Sequence, residues 1–563
     1  MIPPPLRCAL PTLLLAAAAL AQPSFVEITP TANPWFVTPD TDDFWVSALA
    51  PADFDGDGDL DLAAIGYYVV YNVSAEDVLL IFVNQGEGPD GHWQFATQPI
   101  PLGDMFAGAS DLAWGDFDGD GDHDLAVGSE GETRIYRNDA GSFTALALAL
   151  PGYWEDSTYD NAYDLRSLAW ADVDNDGDLD LLIPSVFDFD LFEYSTHLMR
   201  NDGPGGAGGW LFADSGAALD ATTHAQSAWA DDDQDGDLDL FLVNIDPYTE
   251  TGFVKRFGND GGSFTGSDLL GIKVEWGLAD WGDYDADGDL DILVAGNIQE
   301  PDATFATVLR VYRNDAGAYA PTTLVEAPNA DWLDIHAATW ADYDSDGDVD
   351  LLVTGNFIGA TDIEGHSKIW ANDGGTFTDL GVELPAPISS LSGGGSFTWL
   401  DVDADGDLDY LVAGAYYVPG GQGLVEAKMA LYRNDSTAPN LAPAAPGALA
   451  ATPGAAGVTF SWNAAADDHT ASAALTYDLE LRPFGAAQSS ARRPPEPGAV
   501  SADTAWTLAA LPPGSYAWSV RAVDSAFNGG ARSAGVVTVP GGSAIFADNF
   551  EAGTTVAWSP GQP

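Results

Sequence analysis

The sequence predicts an all-β protein, a seven-bladed β-propeller with calcium-binding loops followed by a small C-terminal β-sandwich. Three observations lead there. A nine-residue motif with aspartate at positions 1, 3, 5, 7 and 9 and glycine at position 6 occurs seven times, at start-to-start spacings of 63, 56, 59, 52, 59 and 59 residues. Each copy sits in the same frame of short apolar segments separated by turn residues, as strands and hairpins require. Finally, a strand that the last unit lacks is present at the opposite end of the array, the trace that a closed ring of repeats leaves in a linear chain.

Composition sets the bounds. A chain of 563 residues, 46% hydrophobic and with 18 Trp, can bury a large core in more than one domain or one long repeat array. Against 87 acidic residues stand 18 basic ones, a formal charge of −69. Such a surface repels phosphate backbones and anionic membranes, which excludes nucleic acid as a partner. Residues 1–21 read as a cleaved secretory signal, with Arg7, an apolar run from Leu10 to Leu20, and Ala19 and Ala21 in an A-x-A arrangement. The run is too short to span a bilayer. Cys8 is the sole cysteine and lies in this segment, so the mature chain is expected to be extracellular, monomeric, without disulfides and without a transmembrane segment.

The seven motifs are DFDGDGDLD (Asp53, Asp55, Asp57, Asp59, Asp61), DFDGDGDHD (Asp116, Asp118, Asp120, Asp122, Asp124) and DVDNDGDLD (Asp172, Asp174, Asp176, Asp178, Asp180), then DDDQDGDLD (Asp231, Asp233, Asp235, Asp237, Asp239). DYDADGDLD (Asp283, Asp285, Asp287, Asp289, Asp291), DYDSDGDVD (Asp342, Asp344, Asp346, Asp348, Asp350) and DVDADGDLD (Asp401, Asp403, Asp405, Asp407, Asp409) complete the set. Hard oxygen ligands at alternate positions, with glycine at a sharp turn, suit Ca²⁺, which takes about six to eight oxygens at roughly 2.3–2.6 Å. Side chains 1, 3, 5 and 9, the carbonyl of residue 7 and a water would fill such a shell. Seven ions are expected. Mg²⁺ fits a flexible all-protein cage less well, and solvated acidic turns would leave unpaired like charges to repel one another. An EF-hand needs Glu at position 12 and flanking helices. Here position 12 is Ala64, Val127, Ile183, Leu242, Val294, Val353 or Val412, inside an aliphatic strand.

Upstream of six motifs a short strand ends in Trp two residues before the first Asp: Trp114, Trp170, Trp229, Trp281, Trp340 and Trp399. Downstream come the aliphatic strand, a variable loop, and a strand running into a turn, as in IYRNDAG, RFGNDGG and IWANDGG. An aromatic strand such as GSFTAL or GTFTDL follows, giving four strands per unit. After Asn434 that fourth strand is missing, and PSFVEIT, from Pro23 to Thr29, supplies it. By strand parity the Asp loops and N-D-G turns share one face. The opposite loops are long, dissimilar and rich in Tyr, Phe, Asp and Asn, which is where a rigid scaffold usually carries binding.

With its preceding Trp strand, its LDLLV-like strand and its YRNDG-like hairpin, the D-x-D-x-D-G-x-x-D loop resembles the FG-GAP or VCBS repeat family, known from the propeller heads of integrin alpha chains. The resemblance spans residues 22–436. It implies a seven-bladed propeller, Ca²⁺ between the first and second strands of the blades, and ligand binding on the opposite face. Integrins carry the loop in only some blades, whereas all seven copies are complete here, and neither partner chain nor ligand specificity carries over.

Residues 437–446 form a Pro-rich linker. Segments 447–540 alternate apolar and polar residues in short strands, a sandwich pattern. Within it Trp462 and Tyr516 resemble the core Trp of the fibronectin type III domain, a module that commonly acts as a spacer, and the Tyr that precedes its F-strand. Residues 541–563 are a C-terminal tail resembling short tails on secreted bacterial proteins.

For function, the sequence favours a secreted, calcium-stabilised binding or adhesion propeller that takes carbohydrate or protein ligands on its aromatic-rich loops. The alternative is an extracellular polysaccharide lyase or glycoside hydrolase on the same scaffold, using loop carboxylates such as Glu155, Asp156, Asp160 and Asp164. A salt-adapted acidic surface is a third explanation of the charge. The seven His form no metal or nucleophile motif, no G-x-S-x-G elbow or phosphate-binding loop is present, and His123, at position 8 of the second motif, reads as an exposed variant.

Overall fold

The computed structural model describes residues 25–30 and most of 42–540; outside the described residues lie 1–24, 31–41, 541–563 and internal stretches, the longest being 103–110, 153–167, 386–395, 418–424 and 485–499. The expected signal, the C-terminal tail, and Glu155, Asp156, Asp160 and Asp164 all lie outside the described residues. No helix among the described residues is long and apolar enough to cross a membrane.

The chain is all β and builds a β-propeller. Among the described residues, seven four-stranded antiparallel sheets are followed by two three-stranded ones. The first blade runs Asp42–Ala52, Asp61–Val70, Ser74–Glu87 and Trp93–Ile100 in hydrogen-bonded order. Blades 2 to 6 repeat that order, beginning at Asp111–Gly115, Ala169–Ala171, Thr223–Ala230, Lys273–Gly282 and Trp332–Ala341. The strand after each Asp loop is aliphatic on both faces because each face meets a neighbouring blade. In the first blade, Leu62 and Ala64 pack with Leu411 and Ala413 of the seventh, while Ala63 and Ile65 pack with Leu125 and Val127 of the second. All four are fully buried; Leu62 and Ile65 each contribute about 1.5–3 kcal/mol relative to exposure, and the alanines less.

The seventh blade joins the two ends of the array. Ser396–Leu400, Asp409–Tyr417 and Val425–Asn434 are completed by Phe25–Glu27, which pairs with Val425–Asn434 in the register Phe25↔Asn434 and Glu27↔Tyr432. The register matches that of the contiguous blades, where an aromatic also faces the hairpin Asn: Phe95 and Asn84, Phe143 and Asn138, Phe264 and Asn259, Phe377 and Asn372. Residues after Glu27 extend the clasp. The N–H of Ile28 donates to the Leu431 carbonyl, and the Ile28 carbonyl accepts from the Trp93 N–H of the first blade, each at 2.9 Å.

In the C-terminal region, Gly447–Pro453, Val458–Asn463 and Ala505–Leu508 form one sheet; Thr476–Pro483, Gly514–Val523 and Ser533–Val539 form the other. Trp462 is buried as expected and tilts against Tyr477, ring centroids 5.4 Å apart, while Phe460 meets Trp518 edge-on at 4.9 Å. Tyr477 is fully buried and its hydroxyl accepts from the Ala465 N–H, while Tyr516 is half buried.

Candidate metal centre

Each Asp loop is a tight double turn. The Gly at position 6 has φ between 95° and 100° in all seven copies, a region that side chains with a Cβ rarely adopt. Position 4 is left-handed too in the six loops where it is described, and in four of those it is not glycine: Asn175, Ala286, Ser345 and Ala404 have φ of 56–59°. The first carboxylate holds this turn by accepting from the N–H groups of positions 5 and 6 at 3.0–3.1 Å, as Asp53 does from Asp57 and Gly58 and Asp401 does from Asp405 and Gly406. Position 5 accepts from the N–H of position 7.

The ninth carboxylate ties the loop to its blade. One oxygen accepts from the N–H of the hairpin Asn at 2.7–2.8 Å, as in Asp61 with Asn84 and Asp409 with Asn434. The Asn side chain then crosses to the preceding blade and donates to the carbonyl of position 2 there: Asn138 to Phe54, Asn201 to Phe117, Asn259 to Val173, Asn372 to Tyr284 and Asn434 to Tyr343. Asn84 of the first blade reaches Val402 of the seventh at 3.0 Å, so the chain of bonds also crosses the seam. In the sequence this Asn reads only as a turn residue, although its recurrence in seven hairpins was visible.

Positions 1 and 3 converge with 5 or 9. Oxygens of Asp53, Asp55 and Asp57, of Asp116, Asp118 and Asp124, of Asp172, Asp174 and Asp176, and of Asp283, Asp285 and Asp287 lie within 4.8 Å of one another in each group. Three carboxylates of position 7 are engaged elsewhere. Asp122, Asp237 and Asp348 accept from the N–H of Ala140, Gly261 and Gly374 in the N-D-G turn, which leaves the backbone carbonyl as the atom these residues would offer a metal. Position 3 supplies the test of fit. The Oδ1 atoms of Asp174, Asp285, Asp344 and Asp403 are buried and have no hydrogen-bond partner. A buried carboxylate oxygen without a partner is costly, and its recurrence at one position of four loops is what a shared cation would relieve.

Electrostatics point the same way. Burial, then neighbouring carboxylates, push Asp116 up to about 7. Burial likewise raises Asp283 to about 7 and Asp291 to about 8, and in both cases donated backbone N–H groups only partly offset it. Asp172, Asp350 and Asp409 are also driven well above the ordinary carboxylate range, chiefly by burial.

The sandwich does not stand free as a spacer; it packs on the loop end of the propeller. Trp506 Nε1 donates to Asn175 Oδ1 at 2.9 Å, Asn528 Nδ2 to the Gly406 carbonyl at 2.9 Å, and Ser525 Oγ to Asp342 Oδ2 at 2.7 Å. Gly347 lies so near His469 that a Cβ would sit 2.1 Å from its carbonyl oxygen. Between the sandwich and the first strands of all seven blades lies a cavity of about 840 Å³, lined by Trp114, Trp170, Trp229, Trp281 and Trp340 on one side and Trp506 and Arg521 on the other. His123 is half buried and lines this cavity, which corrects its reading as an exposed variant. No periodic signal in the sequence announces the contact, because the sandwich residues that make it occur once each.

One further polar chain escaped the sequence. His197 bridges Ser195 Oγ at 2.8 Å and Asp214 Oδ2 at 2.6 Å on the third blade. Ser195 and His197 alternate on one strand and Asp214 lies on the next, so only the strand pairing brings them together.

Fold and loops together define a class, a β-propeller whose blades carry acidic turn motifs. More particularly, the chain carries FG-GAP-like repeats: the model of that repeat matches residues 116–183 and 283–353, each running from one Asp loop through the next. No curated protein matches the sequence. Among solved structures, the chain is similar to an Agrocybe aegerita lectin that recognises non-reducing terminal N-acetylglucosamine, at 18% identity over 63% of this chain and 83% of that one, with a TM-score of 0.38. It is similar to the extracellular domain of a hybrid two-component system from B. thetaiotaomicron, at 9% identity over 92% of this chain and 58% of that one, TM-score 0.37. A Bacillus licheniformis rhamnogalacturonan lyase aligns at 16% identity over 80% and 76%, TM-score 0.30.

Proposed function

We propose that the chain is a secreted, calcium-stabilised binding protein, a closed seven-bladed propeller with a fibronectin type III-like module, which takes a carbohydrate or protein ligand on the face opposite its Asp loops. The recurrent partnerless oxygen of position 3 carries the metal assignment. The side chains of positions 1, 3, 5 and 9 and the carbonyl of position 7 would hold Ca²⁺, which supplies positive charge and oxygen coordination where burial has removed water. The ion acts as a cross-link in a chain whose mature part has no cysteine.

The sandwich sits on the loop end, which leaves the other end of the ring, with its Tyr- and Phe-rich connections, as the face for a ligand. Two measurements test the proposal on the mature protein: bound calcium per chain, and binding to a glycan array. Several ions and a saturable glycan or protein ligand are expected; a chain that holds no calcium removes the reading. The rival is turnover of an acidic polysaccharide by carboxylates of the loop around Glu155 and Asp156. Release of product from pectin-type polymers, abolished by Glu155→Gln, would decide for it.

A further inference from the structure

The fourth loop departs from the other six at three positions that meet in space. Position 2 is Phe54, Phe117, Val173, Tyr284, Tyr343 or Val402 elsewhere, but Asp232 here. Three residues before the hairpin Asn stands Ile81, Ile135, Leu198, Val311, Ile369 or Leu431 elsewhere, but Arg256 here. In the other six blades these two residues share one apolar cluster, as Val173 does with Leu198 and Val402 with Leu431. In the fourth blade the apolar pair has become an ion pair, Arg256 Nε to Asp232 Oδ1.

The guanidinium does not stop there. Its Nη2 lies 2.6 Å from Asp233 Oδ2 and 2.7 Å from Asp239 Oδ2, positions 3 and 9 of the same loop. Asp231, Asp233 and Asp239 are the three carboxylates that converge there, so the arginine already occupies oxygens of two of them. The third departure makes room for it. The residue before the hairpin Asn is Arg137, Arg200, Arg313 or Arg433 in four other blades, whereas here it is Gly258, and a Cβ on Gly258 would lie 2.6 Å from Arg256 Nη1. The arginines of those other blades pair with the Asp two residues on, as Arg313 does with Asp315 and Arg433 with Asp435. Arg313 and Arg433 stay 3.8 and 4.0 Å from the position-3 carboxylates Asp285 and Asp403, whose Oδ1 atoms remain without a partner.

We propose that the fourth loop carries its own cation, the Arg256 guanidinium standing where the other loops take Ca²⁺, so that the ring has one permanently closed staple and six that depend on metal. The inference rests on the calcium reading of the other loops. A fixed positive charge hydrogen-bonded to two of the converging carboxylates repels a divalent ion and takes up the lone pairs that the ion needs, which weakens calcium at this loop by about a hundredfold or more. Asp232, Arg256 and Gly258 are a matched set, since an arginine without the acid and the glycine would have neither a partner nor space.

The test counts calcium bound per full-length mature chain, by equilibrium dialysis against buffered Ca²⁺ and elemental analysis. The double variant Asp232→Val with Arg256→Leu copies the third and seventh blades, and it is expected to bind one more ion than the wild type. In the reverse direction, Val402→Asp with Leu431→Arg and Arg433→Gly is expected to cost the seventh blade its ion, lowering the count by one. That second variant keeps the test decisive if the first fails to fold. A count that neither variant changes, with several ions bound throughout, overturns this inference while leaving the calcium reading intact. No ions on any of the proteins overturns the calcium reading and this inference together.

Discussion

In the propeller, the residue buried where loop meets sheet is a carboxylate: Asp61, Asp124, Asp180, Asp239, Asp291, Asp350 and Asp409 are all 0–1% exposed. In the sandwich the corresponding interior is aromatic, built from Phe460, Trp462, Tyr477 and Trp518. Both are antiparallel β structures of one chain, yet the first buries a carboxylate in every blade, whereas the second, apart from Asp524 just after Gly514–Val523, fills its interior chiefly with apolar side chains. The difference teaches where each draws stability. Apolar contact between sheets is intrinsic to the chain, whereas buried acids need a counter-charge, from arginine in one blade and from calcium, on our reading, in the rest.

Chelation should separate the two regions most strongly. In calorimetry the propeller transition is expected to fall by about 10 °C or more when calcium is withdrawn, since each site filled at a hundred times its dissociation constant contributes about 2.7 kcal/mol. The sandwich transition is expected to move little, and a propeller melt indifferent to chelator would sink the assignment. Removing residues 22–30 comes next. It deletes the strand that pairs with Val425–Asn434 and should lower the propeller transition sharply in the presence of calcium, while leaving the sandwich unchanged.

Trp518→Ala should act the other way round, destabilising the sandwich by about 3–5 kcal/mol whether or not calcium is present; a calcium-dependent cost would mean that the regions do not melt separately. The smallest effect concerns Asp280, on the first strand of the fifth blade, raised to about 6 by burial despite donors from Thr339 and Trp281. A carboxyl raised in the folded state favours folding below about pH 4 and loses that contribution as pH climbs through 6. Asp280→Asn should therefore gain on the wild type by up to about 3 kcal/mol between pH 4 and 7. A difference that stays flat over this range would show that the carboxyl is not titrating in a buried site.

The architecture was legible because it repeats. Seven copies of Asp, Gly and hairpin Asn gave spacing, strand order and the seam, and Phe25 pairs where the repeat required it. What was not legible occurs once or lies in pairing. Ser525 and Asn528 meet Asp342 and Gly406 without any motif. The left-handed backbone of Ala286 and Ala404 goes against their intrinsic preference and is imposed by the loop around them. Arg256 looks like any surface base until its strand places it against Asp233 and Asp239.

The strand Phe25–Glu27 has a consequence in time. Its partners are the last of the propeller to be made: the bond between Leu431 and Thr29 joins residues 402 apart. At about 5–20 residues per second, synthesis of that interval takes roughly 20–80 s, during which the first strand waits without its neighbour. Six blades can form in passing, but the seventh is an appointment between the two ends of the array. A transient binder of extended strands, acting early, would govern the yield of the ring without touching its final stability.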